Sequence, residues 1–291
     1  MPLMPGTRGA PTELSKVIGV SRIVTESVSS ARARNEVASK ARAEALRIGW
    51  EHVEREDLPA RVKEASNADV LIFGADGARL VRYEGGEKAA TFRFHPSTAP
   101  LRIENIERGG ADVMASAMGL RADDEVLDCT MGLGADAIVT AFVVGPGGSV
   151  EALESSEEIF TAVDIGMRGY SGDRRVEESI GRIARRRADY RKVLKTLDDG
   201  AYDIVYMDPM FQTKVRPATP IDAIRTWACV DYPSWEDILD AARVARRRFV
   251  MKVRKGERAS LPYDMERIEV FHSSHAGPVE YIGIEKGGVL P

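Results

Sequence analysis

Two apolar strands that each end in a carboxylate constrain this chain more than any other feature. Glu125-Val126-Leu127-Asp128 runs through Cys129, Thr130 and Met131 into a glycine loop, Gly132-Leu133-Gly134, and then into Ala135-Asp136 at the head of a helical pattern. About seventy residues later a second apolar strand, Tyr202 to Met207, ends in Asp208-Pro209-Met210-Phe211. A strand feeding a glycine turn and a helix is the repeating unit of a parallel α/β sheet, and ligands of such sheets settle beyond the carboxyl ends of the strands.

From Asp123 onward strands and helices alternate. The patterning predicts strands at 125–129, 149–153, 183–188, 203–207, 248–253, 266–271 and 279–285. Helices are expected near 134–143, 156–167, 173–181, 189–197, 219–229 and 234–246. Alternation of this kind implies a mostly parallel seven-stranded Rossmann-like sheet covered on both faces, with the last two strands forming an antiparallel edge. The stretch 207–234, with four prolines, is a long connection at a strand end, where substrate loops occur. Residues 119–291 are therefore expected to form an α/β domain. Residues 12–118 read as a smaller α+β domain. It would hold a strand at 17–24, a helix capped by Ser29 or Ser30 and running to Arg47, and a weaker helix from Pro59 to Ala65. A strand–turn–strand follows around Asp76-Gly77, then a strand at 90–94 and a helix over 99–118 interrupted at Gly109-Gly110. Met1 to Pro11 reads as a flexible tail without the apolar core of a signal peptide.

Composition narrows the function classes. Two cysteines, Cys129 and Cys229, far apart in a chain of 291 residues, favour a reducing, cytoplasmic setting without disulfides or a thiolate metal site. The four histidines are scattered, so no metal is expected, and His95 is read as structural. No apolar run reaches membrane-spanning length. The net charge of −4 is not that of a strongly basic nucleic-acid binder. Arginines and lysines nevertheless crowd 182–195 and 243–258, which keeps a phosphate-rich partner in view.

The acids around the loop select the ligand. Gly132 and Gly134 let the backbone approach a bound molecule closely. Asp128 and Asp136 flank that loop and would repel a pyrophosphate, whereas a sulfonium and an ammonium group would be welcomed. S-adenosylmethionine is thus expected rather than a nicotinamide dinucleotide. Glu154, about twenty residues past the loop, is placed to accept the ribose hydroxyls. Ser155 is expected to cap the next helix. Asp189-Tyr190 follow the third strand, where an adenine edge would be read and a ring could stack.

The second strand end carries the chemistry. Asp208 and the carbonyl of Pro209 can accept both hydrogens of an exocyclic amine and aim its lone pair at a methyl group. Phe211 can stack on the base that bears the amine.

These motifs resemble the seven-stranded class I methyltransferases that modify exocyclic amines of bases. The runs 126–136 and 205–211 are similar to the family that methylates N2 of a guanine in small-subunit ribosomal RNA. The later runs Leu239 to Ala245 and Phe249 to Arg254 are similar too. The resemblance covers about residues 100–285. It implies S-adenosylmethionine as cofactor, with contacts from Ala135 and Asp136 after the glycine loop, from Glu154 and Ser155, from Asp189 and Tyr190, and from Asp208; Asp128, Thr130, Gly132 and Gly134 of the strand end and loop are expected to join them. It implies RNA as substrate, gripped by the arginine clusters and the N-terminal domain. The departures are specific. Ala135 stands where the family usually has arginine, Asp189-Tyr190 where small hydroxyl residues are common, and Gln212 follows Phe211 where proline is usual. Phe94-His95-Pro96-Ser97 matches a segment of an uncharacterised bacterial branch of methyltransferases. A small-molecule or protein amine as substrate, or a non-catalytic RNA-binding or assembly role on the same fold, are the alternative readings.

Overall fold

The structure is a computed structural model that describes residues 20–27, 31–210, 224–228, 231–256, 264–273 and 279–286. The expected tail, the Ser29/Ser30 cap, Phe211, Gln212, Cys229 and most of the expected helix 219–229 lie outside the described residues. Two compact units divide at Phe92 and Arg93.

The first unit contains β1 (Val20–Glu26), α1 (Ala31–Ile48), β2 (Glu51–His52), α2 (Leu58–Ala65), β3 (Asn67–Gly74), β4 (Gly77–Glu84) and β5 (Glu87–Phe92). Its sheet has the order β2-β1-β3-β4-β5, with β1 parallel to β2 and β3 and the last two strands antiparallel. Gly85 and Gly86, both at positive φ, close the two-residue loop between β4 and β5, the geometry a tight right-twisted hairpin requires. Ile23, Val62, Val70, Ile72 and Val81 form its buried core with Leu58 and Val53.

The second unit contains α3 (Ala99–Glu107), α4 (Val113–Met118), β6 (Glu125–Asp128), α5 (Ala135–Val144), β7 (Ser149–Glu154), α6 (Glu157–Arg168), α7 (Arg174–Ile180), β8 (Ile183–Arg187), α8 (Tyr190–Leu194) and β9 (Tyr202–Met207). After them come α9 (Trp235–Val244), β10 (Ala245–Arg254), a short 3-10 turn (Met265–Arg267), β11 (Glu269–Ser273) and β12 (Val279–Glu285). The seven strands take the order β11-β12-β10-β9-β6-β7-β8. Strands β10, β9, β6, β7 and β8 are parallel, and β12 runs antiparallel to both β10 and β11. The central runs Val126-Leu127, Ile204 to Met207 and Phe249 to Met251 are buried, as expected of parallel strands covered on both faces. The chain reverses its direction of travel across the sheet between β6 and β9. This is the switch point where such sheets bind ligands.

Three expectations shift. The interrupted helix 99–118 forms as α3 and α4, but it falls in the second unit, so the division comes earlier than residue 118. Its apolar face explains this, because Ile103, Met114, Ala117 and Met118 are buried and α3 and α4 pack on α5. The strand expected at 266–271 begins at Glu269, because Asp264 accepts a hydrogen bond from the Glu266 amide and winds 265–267 into a 3-10 turn. The cap of α6 is Ser156 rather than Ser155: the Ser156 hydroxyl accepts from the Ile159 amide. No helix among the described residues is long and apolar enough to cross a membrane.

Phe94 docks on α6 where Gly166 leaves room. A Cβ at Gly166 would lie 2.1 Å from the Phe94 Cβ, and the Phe94 ring meets Tyr170 edge-on at 6.3 Å. Gly166→Ala should therefore overpack this contact and lower stability by about 1–3 kcal/mol. Urea denaturation checks it; an unchanged midpoint would show that the segment gives way freely.

Candidate active site

The loop after β6 is tied to both neighbouring strand ends. Cys129 N donates to Tyr206 O at 2.9 Å and Met131 N to Leu153 O at 2.8 Å. Asp128 Oδ1 accepts from Thr130 N at 2.9 Å, and Thr130 Oγ1 accepts from Asp208 N at 2.6 Å. Glu154 completes the lacing, with Oε2 accepting from Gly132 N at 3.0 Å and Oε1 from Ser156 N at 2.8 Å. Gly132 and Gly134 both have positive φ. A Cβ at Gly134 would lie 2.0 Å from the Met167 Cε. The loop thus turns tightly against α6 and brings the ends of β6, β7 and β9 together.

A pocket of about 590 Å³, counting its open mouth, lies at these ends. Its wall includes Thr130, Gly132, Glu154, Ser155, Tyr190, Asp208, Pro209 and Met210, together with Ile224, Ala228 and Asp231. Of the residues expected to contact a cofactor, Asp128, Gly134, Ala135, Asp136 and Asp189 are not on that wall. Asp189 caps α8 by accepting from Arg191 N. Ala135 and Asp136 open α5. Tyr190 packs into the core beside Leu153 and Val205. Its buried hydroxyl has no hydrogen-bond partner among the described residues, and the Arg191 guanidinium lies 4.9 Å from its ring centre.

Behind the pocket lies a charge network that sequence reasoning missed. Asp136 Oδ1 accepts from Arg102 at 2.5 Å, and its Oδ2 accepts from the Tyr206 hydroxyl at 2.9 Å. Arg102 also donates to both oxygens of Asp112, at 2.7 and 2.9 Å. Lys252 Nζ donates to Asp208 Oδ2 at 2.7 Å and lies 4.0 Å from Asp136 Oδ2. Burial pushes the Asp136 carboxyl up, but the charges of Lys252 and Arg102 outweigh it and hold the group below the usual range. Burial likewise disfavours the Lys252 ammonium, and the carboxylates of Asp208 and Asp136 more than reverse that, keeping it charged. The sequence signals for Lys252 were its place in the basic stretch 243–258 and in the family-like run Phe249 to Arg254, and neither pointed to Asp208. Arg102 carried none beyond following the Phe-His-Pro-Ser segment. His95 itself is exposed and accepts from the Ser97 amide in that turn.

Asp128 plays a different part from its neighbours. Buried and facing the carboxylates of Asp136, Asp208 and Glu154, it is pushed up to about 8, against the hydrogen bond from Thr130 N that lowers it. Its folded pKa is raised, so the folded state holds more protons than the unfolded chain between about pH 4 and 8, and stability falls as pH rises through that window. Asp128→Asn keeps the acceptor for Thr130 N and removes the titration. The variant should gain on the wild type steadily from pH 5 to pH 8, by at most about 1.4 kcal/mol per unit. Parallel stability curves would contradict a protonated Asp128.

Arginines of both clusters form ion pairs among the described residues. Arg185 binds Asp164, Arg186 binds Glu151 and Arg187 binds Glu157. Arg243 pairs with Asp199, Arg246 with Asp203, Arg247 with Asp124 and Arg248 with Glu285. On the edge strand β8 such charges also discourage pairing with another chain. Much of the sequence crowding is thus ion pairing among the described residues, although Arg186, Arg187 and Arg246 remain about half exposed.

The family model described as "Putative SAM-dependent methyltransferase" matches residues 57–261. The chain belongs to this family of S-adenosylmethionine-dependent methyltransferases. It is 33% identical over 190 residues to the uncharacterized protein YpiP of Bacillus subtilis (strain 168), covering 65% of this chain and 72% of that one. Ribosomal RNA small subunit methyltransferase J of Haemophilus influenzae (strain PittGG) is 29% identical over 154 residues, 50% of this chain. The match spans 57% of that enzyme's length. A solved SAM-dependent methyltransferase of Neisseria gonorrhoeae superposes with a TM-score of 0.52 at 20% identity, over 92% of this chain and 97% of its own, which shows a shared fold. The site suits the family's cofactor. Carboxylates of Glu154 and Asp208 stand on the pocket wall, and an acid-rich concave site at the switch point accommodates a cationic molecule bearing hydroxyls.

Proposed function

We propose that this methyltransferase acts on an exocyclic amine of a nucleic-acid base, guanine N2 of ribosomal RNA, and that Asp208 and Pro209 orient that amine. The observation that carries the reading is the state of Asp208. Its Oδ2 is engaged by Lys252, its amide by Thr130, and its Oδ1 has no hydrogen bond from any described residue. A carboxylate oxygen and the Pro209 carbonyl beside the cofactor pocket form a pair of acceptors suited to the two hydrogens of an amine. Names of relatives such as ribosomal RNA small subunit methyltransferase J favour ribosomal RNA.

When bound, S-adenosylmethionine supplies an electrophilic methyl on a sulfonium sulfur. Glu154 is assigned to the ribose hydroxyls, and Thr130, Gly132, Ser155 and Tyr190 to the body of the cofactor along the pocket wall. Asp208 and the Pro209 carbonyl hold the amine in line, so catalysis comes from placement rather than from a strong base. With the cofactor held there, the methyl would pass to the amine nitrogen and the carbon–sulfur electron pair would stay on sulfur. The amine then gives up one proton to solvent. Phe211, outside the described residues, is assigned to stack on the base.

Nucleoside analysis of small-subunit ribosomal RNA from host cells with and without the gene tests the target. Loss of one N2-methylguanosine in the deletion strain is the expected result. An unchanged nucleoside profile favours the second reading, a small-molecule or protein amine. That reading draws on the internal pairing of the arginine clusters.

A further inference from the structure

Lys252 has no assigned part in the reaction, yet it is the described cation in hydrogen-bond contact with Asp208. It rises from β10, whose Met251 is in register with Met207 at the end of β9, so its ammonium arrives beside the Asp-Pro turn. The groups facing Asp208 come from five elements besides β10. They are Asp136 on α5, Asp128 on β6, Arg102 on α3, Tyr206 on β9 and Tyr281 on β12. One of these, the Asp136 carboxylate, works against a second negative charge. Arg102 is already held by Asp112 and Asp136.

We infer that Lys252 is the positioning residue of the reaction: by holding Oδ2 it fixes the Asp208 carboxylate, ionised, with Oδ1 turned to the amine. This rests on the reading of Asp208 as the amine acceptor. A carboxylate free to rotate would present the amine in many orientations, and a protonated one would offer a donor where an acceptor is needed. The ammonium contact works against both: burial raises the Asp208 carboxyl, and Lys252 opposes that rise. Lysine provides a compact point charge here, and arginine at the same position would preserve charge but not the single-point geometry.

The test begins without a substrate. The full chain is prepared with its aspartate carboxyl carbons labelled with carbon-13, and the Asp208 signal is assigned by its loss in Asp208→Asn. In Lys252→Met the Asp208 titration midpoint should rise by about one pH unit or more and return toward the wild-type value in Lys252→Arg. Lys252→Gln serves as the second neutral variant should Lys252→Met fail to fold. A midpoint that stays in place in the neutral variant overturns the inference.

Methyl transfer from labelled S-adenosylmethionine to extract of host cells lacking the gene is the second readout. Lys252→Met should lower transfer at pH 7 by about tenfold or more, with its acid limb moved to higher pH and the KM for S-adenosylmethionine little changed. Wild-type transfer by Lys252→Met across the pH range, with Asp208→Asn inactive, overturns the role of Lys252 alone. Wild-type transfer by Asp208→Asn overturns the reading of Asp208 instead, whatever the titration shows.

Discussion

Asp208→Asn is expected to lower the rate of methyl transfer at saturating cofactor by about 100-fold or more, the size of effect seen when one oriented polar contact to a reacting group is lost. The substitution keeps the shape of the side chain and the hydrogen bond that the backbone amide donates to Thr130 Oγ1. It replaces a charged acceptor by a group that can turn its NH2 toward the amine. Binding of S-adenosylmethionine should change less, because Glu154 and the loop from Thr130 to Gly132 remain in place. The signature is thus a fall in the turnover number with the cofactor KM held within a few-fold. Equal turnover by variant and wild type would remove Asp208 from the chemistry and leave the pocket as a cofactor site alone.

The second large effect concerns stability. Arg102→Met should cost about 3–5 kcal/mol, the penalty for leaving buried charge without its partner. Two carboxylates lose their cation at once, Asp112 with 8% and Asp136 with 19% of the side chain exposed. Asp136 is held below the usual range in the folded protein, so its contribution is present above the carboxylate's ordinary value and is lost as pH falls through the folded one. The variant's deficit should accordingly be full at neutral pH and shrink as pH falls toward about 4 and below, as the orphaned acids take up protons. Urea titrations at pH 7 and pH 4 measure it. A cost under about 1 kcal/mol at neutrality would mean that Lys252 and Tyr206 suffice for Asp136.

The sheet was legible because its strands state their burial. Val126-Leu127, Ile204 to Met207 and Phe249 to Met251 are continuous apolar runs, and such runs in strand–helix alternation admit few other arrangements. Asp208 and Glu154 were legible for a related reason, since an acid that ends an apolar strand has few places to go except the ligand crevice. What sequence order hides is contact across distance. Arg102 and Asp136 are separated by 34 residues, and Asp208 and Lys252 by 44. Nothing local to any of the four announces its partner. The same blindness made the arginine clusters read as a surface for phosphate. Their carboxylate partners sit on other elements, on strand β7 for Arg186 and on helix α6 for Arg185 and Arg187, and pairing became visible only with the fold. Asp128 shows what burial adds. It was read as an acid for the cofactor's charge, yet burial beside three other acids pushes it up to about 8, and its carboxyl serves the loop through Thr130 N.

The most direct test of an RNA base amine as the target is transfer of labelled methyl from S-adenosylmethionine to an extract of host cells lacking the gene. The product is then divided by sensitivity to ribonuclease and to protease. Label lost to ribonuclease and retained through protease, and absent with Asp208→Asn, is the predicted result. Label that survives ribonuclease would contradict it and move the substrate to a protein or small-molecule amine.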